Sequence, residues 1–296
     1  MPRGFRGSFV RQTNHKEEFD CHLPIYGGGM AAGVEHGWSS RGIHWQRRGS
    51  GPNLTLVIGF GQDSSAWQFV ADELAHDFSL LLIDNRGAGR SPNLDESFML
   101  EDLASDLIHV HSELNVSETA IVGQSMGGAI SQLVALEEPT LVSHLVLLNS
   151  FAVLPTAPRL AFEAVYGLLK HGASLEDVIG NLSPWIYAGD FLAAPGRIDE
   201  LISAAANNPY PQPIHSYRAQ LDALTAFNSA DLLPGIGQPT LVIGGSQDLV
   251  AGPAATDSLA LRIRGATLTY LDTGHASHVE APGEVADVIR GFLIGR

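Results

Sequence analysis

The 296-residue chain contains a single cysteine, Cys21. One cysteine excludes an internal disulfide and supplies no pair of thiolates for a metal ion. The histidines are scattered, and His109 and His111 lie two residues apart on a predicted helix, so they point in different directions. Gly87 and Gly89 lack the third glycine and the lysine of a phosphate-binding loop. The sequence therefore predicts neither a metal site nor a cofactor.

Basic residues are also scarce, because Lys and Arg total 17 against 32 Asp and Glu and leave a formal net charge of -15. Nucleic acids and anionic membranes are bound through clustered basic side chains, so this balance disfavours both as partners. No apolar run approaches the roughly 18 residues of a membrane-spanning helix, and the first residues lack the apolar core of a signal peptide. We expect a cytoplasmic protein that acts on a small molecule.

Apolar residues, in contrast, make up 45% of the chain, which is enough to bury a large core. Short apolar runs alternate with helical patterns, such as the one over 98–114, and this alternation is typical of an α/β protein with a mostly parallel sheet. We therefore predict a central sheet with helices on both faces. The predicted strands lie near residues 42–47, 54–58, 79–83, 118–122, 144–148, 240–244 and 266–271.

The segment between Asn149 and Thr240 interrupts the alternation, and a structureless connection of that length is improbable in a compact domain. Its helical patterns at Leu160–Leu169, Ile198–Ala206 and Tyr217–Phe227 instead predict an inserted helical cap. The first forty residues lack clear periodicity and leave open a mobile arm, a strap across the sheet or a homo-oligomer contact. The predicted organisation is an N-terminal extension (1–40), an α/β core (41–150 and 233–296) and the helical cap (151–232).

The most informative motif is Gly123-Gln-Ser-Met-Gly127, which follows the apolar run Thr119–Val122 and precedes an apolar helical pattern. A strand, a turn of small residues and a helix would place Ser125 on a sharp corner with its hydroxyl above the sheet. The helix that begins at Met126 would direct its free N–H groups and positive dipole end to the same space, where an oxyanion could be stabilised. Ser125 is therefore the candidate nucleophile.

Candidate partners for this hydroxyl follow two later strands. Asp248 lies past the predicted strand at 240–243, and His275 lies past the one at 266–271. The carboxyl ends of parallel strands lie at one edge of a sheet, so both side chains would lie at the edge that carries Ser125. In open parallel sheets this is also the edge where ligands bind. A serine nucleophile needs a base and the base needs an orienting carboxylate, which predicts a catalytic triad of Ser125, His275 and Asp248.

Two further motifs complete a resemblance to the α/β-hydrolase superfamily, which runs from about Gly42 to the C-terminus. Asp84-Asn-Arg-Gly-Ala-Gly-Arg-Ser91 is similar to the family's D-x-R-G-x-G-x-S loop, and Gly274-His-Ala-Ser-His-Val-Glu-Ala-Pro282 is similar to its G-H-x-x-x-x-E-x-P ending. The triad order of serine, aspartate and histidine is also that of the family. The resemblance implies the α/β-hydrolase fold with an inserted cap, and it selects His275, which follows the glycine, over His278.

The sequence offers other positions for the acid. Some relatives place it after the preceding strand, but here that strand is followed by Asn149 and Ser150, which are not acids. Asp272 and Glu280 lie too near His275 in the sequence to be first choices. Asp248 is therefore the predicted carboxylate.

By resemblance, the oxyanion hole is formed by the backbone N–H groups of Phe60 and Met126. The family's loop usually reads His-Gly-x-Gly, whereas this chain reads Ile58-Gly-Phe-Gly61, so the histidine that normally braces the loop is absent. The predicted cap is rich in aromatic residues, most of which we expect to fill its own core. The candidate substrate-pocket residues are Gln124, Phe162, Trp185, Tyr187 and Phe227.

These residues predict a serine hydrolase that cleaves an ester, lactone or thioester of a small, largely apolar substrate through an acyl-enzyme. Among capped relatives, the chain is similar to enol-lactonases and small-ester hydrolases. A serine nucleophile argues against the relatives that use an aspartate to cleave carbon–halogen bonds or epoxides. The same fold also serves carbon–carbon bond hydrolases, non-hydrolytic lyase- or cyclase-type biosynthetic enzymes and ligand-binding receptors, so the fold alone does not choose between them.

Overall fold

The computed structural model describes residues 34–92 and 97–295 of the chain. Eight strands form one sheet: β1 (Glu35–Trp38), β2 (His44–Gly49), β3 (Asn53–Val57), β4 (Ser79–Ile83), β5 (Thr119–Gln124), β6 (Val142–Leu148), β7 (Thr240–Gly245) and β8 (Thr267–Leu271). The helices are α1 (Gln68–Leu74), α2 (Leu100–Glu113), α3 (Met126–Glu137), α4 (Thr156–Lys170), α5 (Leu175–Ile186), α6 (Gly189–Leu192), α7 (Arg197–Ala206), α8 (Ile214–Ala226), α9 (Pro253–Arg262), α10 (Ser277–Glu280) and α11 (Pro282–Ile294).

The strands lie in the order β1-β2-β4-β3-β5-β6-β7-β8. β1 pairs with β2 and β2 with β4 in antiparallel fashion, and every later pairing is parallel. All six residues of β5 are buried, as expected for a parallel strand that has helices on both sides. The predicted mostly parallel sheet between two helical layers is confirmed.

The core lies on both faces of this sheet, because successive side chains of a strand point in opposite directions. On β5, Ile121 packs in the apolar cluster that includes α2 and α3, whereas Val122 packs in the cluster that includes α1 and α11. The two layers hold the parallel strands rigidly and leave their carboxyl ends free to carry functional loops.

The N-terminal strands differ from the sequence expectation. β2 occupies His44–Gly49 rather than 42–47, and β1 precedes it, so the sheet begins before the predicted core boundary at residue 41. The sequence pattern misses β1 because Glu35-His-Gly-Trp38 is a mostly exposed edge strand without an apolar alternation. Residues 1–33 of the predicted N-terminal extension, which include Cys21, lie outside the described residues.

Five helices, α4 to α8, occupy the chain between β6 and β7, where the cap is predicted. Helix α4 packs against α5 and α8, and α5 packs against α7. Gln220 on α8 anchors this group to the core, because its Nε2 donates to the carbonyl of Arg86 at 2.7 Å and its Oε1 accepts from the N–H of Gly61 at 3.2 Å. Within residues 34–92 and 97–295, no helix combines the length and the apolar character that a bilayer crossing requires.

Candidate active site

Ser125 lies at the junction of β5 and α3, with φ 54° and ψ -118°. Residues other than glycine rarely adopt a positive φ, so this corner is strained. The backbone N–H of Ser125 donates to the carbonyl of Leu148 on β6 at 2.9 Å, which helps to hold the strained conformation. A Cβ at Gly127 would collide with the backbone of Val57 on β3. The second glycine of the motif therefore permits a close approach between α3 and the sheet.

The structure brings the three predicted triad residues together in hydrogen-bonding order. His275 Nε2 lies 2.8 Å from Ser125 Oγ, and His275 Nδ1 lies 2.9 Å from Asp248 Oδ2. All three side chains are buried, and each follows the carboxyl end of a parallel strand. Because Asp248 can only accept from Nδ1–H, the lone pair of Nε2 faces the serine hydroxyl and can take its proton.

Asp248 is held by more than the imidazole. Its Oδ1 accepts from the backbone N–H groups of Val250 at 2.7 Å and Ala251 at 2.9 Å, and its Oδ2 also accepts from Asn149 Nδ2 at 3.1 Å. Burial alone would raise the pKa of this carboxyl, but the neighbouring His275 and the backbone hydrogen bonds outweigh it and lower the pKa below its usual 3.8. Asn149, at the position where some relatives carry the acid, here supports the acid instead.

The backbone of His275 is fixed from two sides. Its N–H donates to the carbonyl of Ile186 at the end of α5 at 2.7 Å, and its carbonyl accepts from Gln124 Nε2 at 3.1 Å. Glu280 strengthens the first connection, because its carboxylate accepts from the backbone N–H of Ala188 at 3.1 Å. Burial raises the pKa of Glu280. The loop that carries His275 is thus bonded both to the serine corner and to the helices above it.

The other histidine and acid near this loop occupy different places. His278 is buried against Trp67, with ring centroids 5.2 Å apart, and burial lowers its pKa to about 3, so its ring is neutral at neutral pH. Asp272 is exposed and accepts from the hydroxyl of Ser246 at 2.8 Å. In the described part of the chain, neither side chain is hydrogen-bonded to His275.

The loop after β3 lies against the serine, since a Cβ built on Gly59 would come within 3.1 Å of the Cβ of Ser125. The backbone N–H groups of Phe60 and Met126 have no acceptor among the described residues, which leaves both free for a substrate oxygen. Asn85 Nδ2 donates to the carbonyl of Ile58 at 2.7 Å and so braces this loop.

A cavity of about 370 Å³ lies beneath helices α4, α5, α7 and α8 and reaches Ser125 and His275. Its size is at the lower end of the roughly 300–1,000 Å³ of sites that enclose small molecules. Ser125 Oγ is therefore accessible to a bound ligand but screened from bulk solvent, since the residue is only 6% exposed.

The predicted pocket residues have different positions relative to this cavity. Gln124, Phe162 and Tyr187 line it. Trp185 and Phe227 are not among its described lining residues, because both pack in the apolar core instead. On α5 the cavity is lined by a stripe of residues that includes Val178, Leu182 and Ile186. Trp185 lies at the edge of this stripe, where its ring packs against the core instead.

Sequence reasoning missed three contributors. Tyr217 lines the cavity and packs on Phe60, with ring centroids 4.6 Å apart. Gln62, in the loop after β3, also lines it. Asn85 is the third: no sequence pattern indicates that its side chain braces the loop after β3. The only hint is its place directly after Asp84 in the family-like motif.

Comparison with known proteins identifies a matching protein family. A family model described as the alpha/beta hydrolase fold matches residues 52–282. The chain is 28% identical over 253 residues to pyrrolizixenacetamide deacetylase from Xenorhabdus hominickii, a match that covers 83% of this chain and 92% of the relative. It is also 28% identical over 263 residues to the pimeloyl-(acyl-carrier protein) methyl ester esterase of Vibrio vulnificus, covering 86% and 98% of the two chains.

Solved structures agree on the fold. The enol-lactonase from Burkholderia xenovorans LB400 superposes with a TM-score of 0.78 at 22% sequence identity, over 88% of this chain and 99% of the lactonase. The match extends over nearly the whole of the lactonase chain.

Proposed function

Because this chain belongs to the α/β-hydrolase family, we propose that it hydrolyses an ester, lactone or thioester of a small, largely apolar substrate through an acyl-enzyme on Ser125. The observation that carries the proposal is the hydrogen-bonded row from Ser125 through His275 to Asp248, at 2.8 and 2.9 Å. A serine needs these contacts to lose its proton to a base whose tautomer is fixed by a carboxylate.

In the acylation step, Ser125 Oγ attacks the carbonyl carbon of the substrate while His275 Nε2 takes the hydroxyl proton. The carbonyl oxygen becomes an oxyanion, which accepts hydrogen bonds from the N–H groups of Phe60 and Met126 at the positive end of α3. When this intermediate collapses, the carbon–oxygen or carbon–sulfur bond breaks and His275 gives its proton to the leaving alcohol or thiol. The acyl group stays on Ser125.

In the deacylation step, water attacks the acyl carbon while His275 takes one of its protons. The second tetrahedral intermediate collapses, the bond to Ser125 Oγ breaks, and the proton returns to that oxygen, so the acid product leaves and the enzyme is restored. Asp248 remains ionised throughout and stabilises the imidazolium that forms in each step. With a lactone, the alcohol and the acid remain in one molecule.

The two curated relatives support acyl chemistry. One is named a deacetylase and the other a methyl ester esterase, and both names describe cleavage of a bond to a carbonyl carbon. The apolar lining of the cavity supports a largely apolar substrate, because burial of apolar surface is what holds such a ligand in place.

A fluorophosphonate probe tests the proposal directly. Attack by Ser125 Oγ on phosphorus displaces fluoride, and we expect one stable adduct per chain, located on Ser125 by peptide mass spectrometry. The Ser125→Ala variant is the unlabelled control, and p-nitrophenyl esters provide the turnover assay. A folded wild-type protein that neither takes the label nor turns over any ester, lactone or thioester would contradict a hydrolase. Retained ligand binding in such a protein would favour a receptor on the same fold.

The brace on the oxyanion loop gives a further prediction. Asn85→Ala removes the hydrogen bond to the carbonyl of Ile58 and frees the loop that carries the N–H of Phe60. Because small displacements of transition-state donors are costly, we expect kcat to fall roughly tenfold with little change in KM. Steady-state kinetics on an aryl ester, with thermal unfolding measured in parallel, checks this.

Asn53→Ala is the matched control. Asn53 lies at the other end of β3, where its amide donates to the carbonyl of Glu118 at 3.0 Å, far from the carboxyl edge of the sheet. Its variant should keep the wild-type kcat. An equal loss of kcat in both variants would show that the effect is a general weakening of the strand rather than a displaced donor.

A further inference from the structure

The cavity contains no carboxylate, ammonium or guanidinium group among its described lining residues. Its polar members are amides and hydroxyls, together with His275 and the neutral, buried His278. Much of the remaining lining of this chamber is hydrocarbon from α4, α5 and α7, including Val165, Leu169, Val178, Ile179, Leu182 and Leu201.

The basic residues of the surrounding helices are directed elsewhere. Segment 151–232 contains four basic residues against eight acidic ones. Arg218 is paired with Glu163 at 2.6 Å and Arg197 with Glu200 at 2.7 Å, and neither arginine lines the cavity. The net charge of this segment is therefore negative, which adds repulsion to any anion that enters.

A carboxylate moved from water into such a chamber loses its hydration and gains no cationic partner among the described lining residues. We propose that this active site takes uncharged acyl substrates whose apolar chain lies among α4, α5 and α7, and that it excludes substrates that carry a carboxylate at the far end of that chain. The inference rests on the proposed function, since it assigns a substrate class to the same Ser125 site.

Three p-nitrophenyl esters test the inference on the wild-type protein. The first is the octanoate, the second is the monoester of suberic acid, in which a carboxylate replaces the terminal methyl group, and the third is the methyl ester of that monoester. We expect kcat/KM for the carboxylate ester to lie at least about 100-fold below that for the octanoate. The third ester is longer than the octanoate but carries no charge, and its kcat/KM should lie within about tenfold of that for the octanoate.

A pair of lysine variants locates the discrimination. Leu182→Lys places an ammonium group in the cavity wall, and Asn181→Lys places the same group on the exposed side of α5. We expect Leu182→Lys to raise the ratio of carboxylate-ester to octanoate kcat/KM about tenfold, because a charge partner in the chamber compensates for lost hydration. Asn181→Lys should leave the ratio unchanged. Thermal unfolding verifies that both variants fold.

The outcomes of these experiments distinguish failure of this inference from failure of the proposed hydrolase function. Equal kcat/KM for the octanoate and the carboxylate ester in the wild-type protein would overturn the inference while leaving the hydrolase intact. An equal rise in the ratio for both lysine variants would also overturn it, because the discrimination would then come from the outer surface. Loss of turnover on all three esters, together with no fluorophosphonate adduct, would overturn both proposals.

Discussion

Replacing Ser125 by alanine is expected to lower kcat for a p-nitrophenyl ester by about a million-fold, the scale found when the serine of a catalytic triad is removed. The substitution deletes the hydroxyl oxygen that lies 2.8 Å from His275 Nε2, so no covalent intermediate can form on this residue. The oxyanion donors and the cavity remain, and they account for any residual rate. KM and the thermal unfolding temperature should change little, because one small buried hydroxyl is lost.

Ser131→Ala is the matched control for that experiment. Ser131 is fully buried one turn into α3, and its hydroxyl donates to the carbonyl of Gly127 at 2.6 Å. Its variant removes a hydroxyl beside the same corner without removing the nucleophile, so we expect activity close to wild type. A loss of less than about a hundredfold in Ser125→Ala would be incompatible with an acyl-enzyme on this residue.

Asp248→Asn is expected to lower kcat by about 10,000-fold with the structure otherwise preserved. An asparagine amide can donate to His275 Nδ1, which would move the ring proton to Nε2 and leave the serine without a base. The carboxylate that stabilises the imidazolium is lost as well. Asp272→Asn is the control, because Asp272 lies close to His275 in the sequence but bonds to Ser246 on the surface. Comparable losses in both variants would contradict a specific role for Asp248.

The lowered pKa of Asp248 also predicts a pH dependence of stability. Its folded-state pKa lies below the unfolded value of 3.8, so the ionised carboxylate stabilises the fold above that value. This contribution is lost as the pH falls through the lower, folded-state pKa. The difference in free energy of unfolding between wild type and Asp248→Asn should therefore shrink as the pH is reduced below about 4. Urea unfolding at pH 7 and at successively lower pH values measures it.

Much of the fold could be predicted because its signals are local. Parallel strands that are buried on both faces read as apolar runs, and β3 to β7 follow such runs closely. The edge strand β1 could not be found this way, since only one side of it pairs and its side chains remain mostly exposed. The motifs that surround Ser125 and His275, Gly123–Gly127 and Gly274–Pro282, were also recognisable, because each combines a glycine turn with a preceding strand pattern and a following helix pattern.

The support around the site was not predictable from local pattern. Gln124 was identified as a pocket residue, and the structure adds that its amide holds the carbonyl of His275 across 151 positions of sequence. Asn149 was recognised only as a missing acid, and its bond to Asp248 depends on β6 and β7 being neighbours. Trp185 and Phe227 show the converse, because aromatic character does not tell whether a side chain lines a cavity or packs in the core.

The sequence by itself determined the candidate residues: a serine at a strand–helix corner, an acid and a histidine, each placed just past a strand. Those identities follow from short-range patterns, which report backbone conformation and burial. Only the tertiary structure decided that the three side chains meet within hydrogen-bonding distance, that Asn85 and Gln124 hold their loops, and that no charged group is among the described lining residues of the cavity. The reason is physical: such contacts join distant segments, and their geometry is set by the packing of the sheet and the helices that cover it.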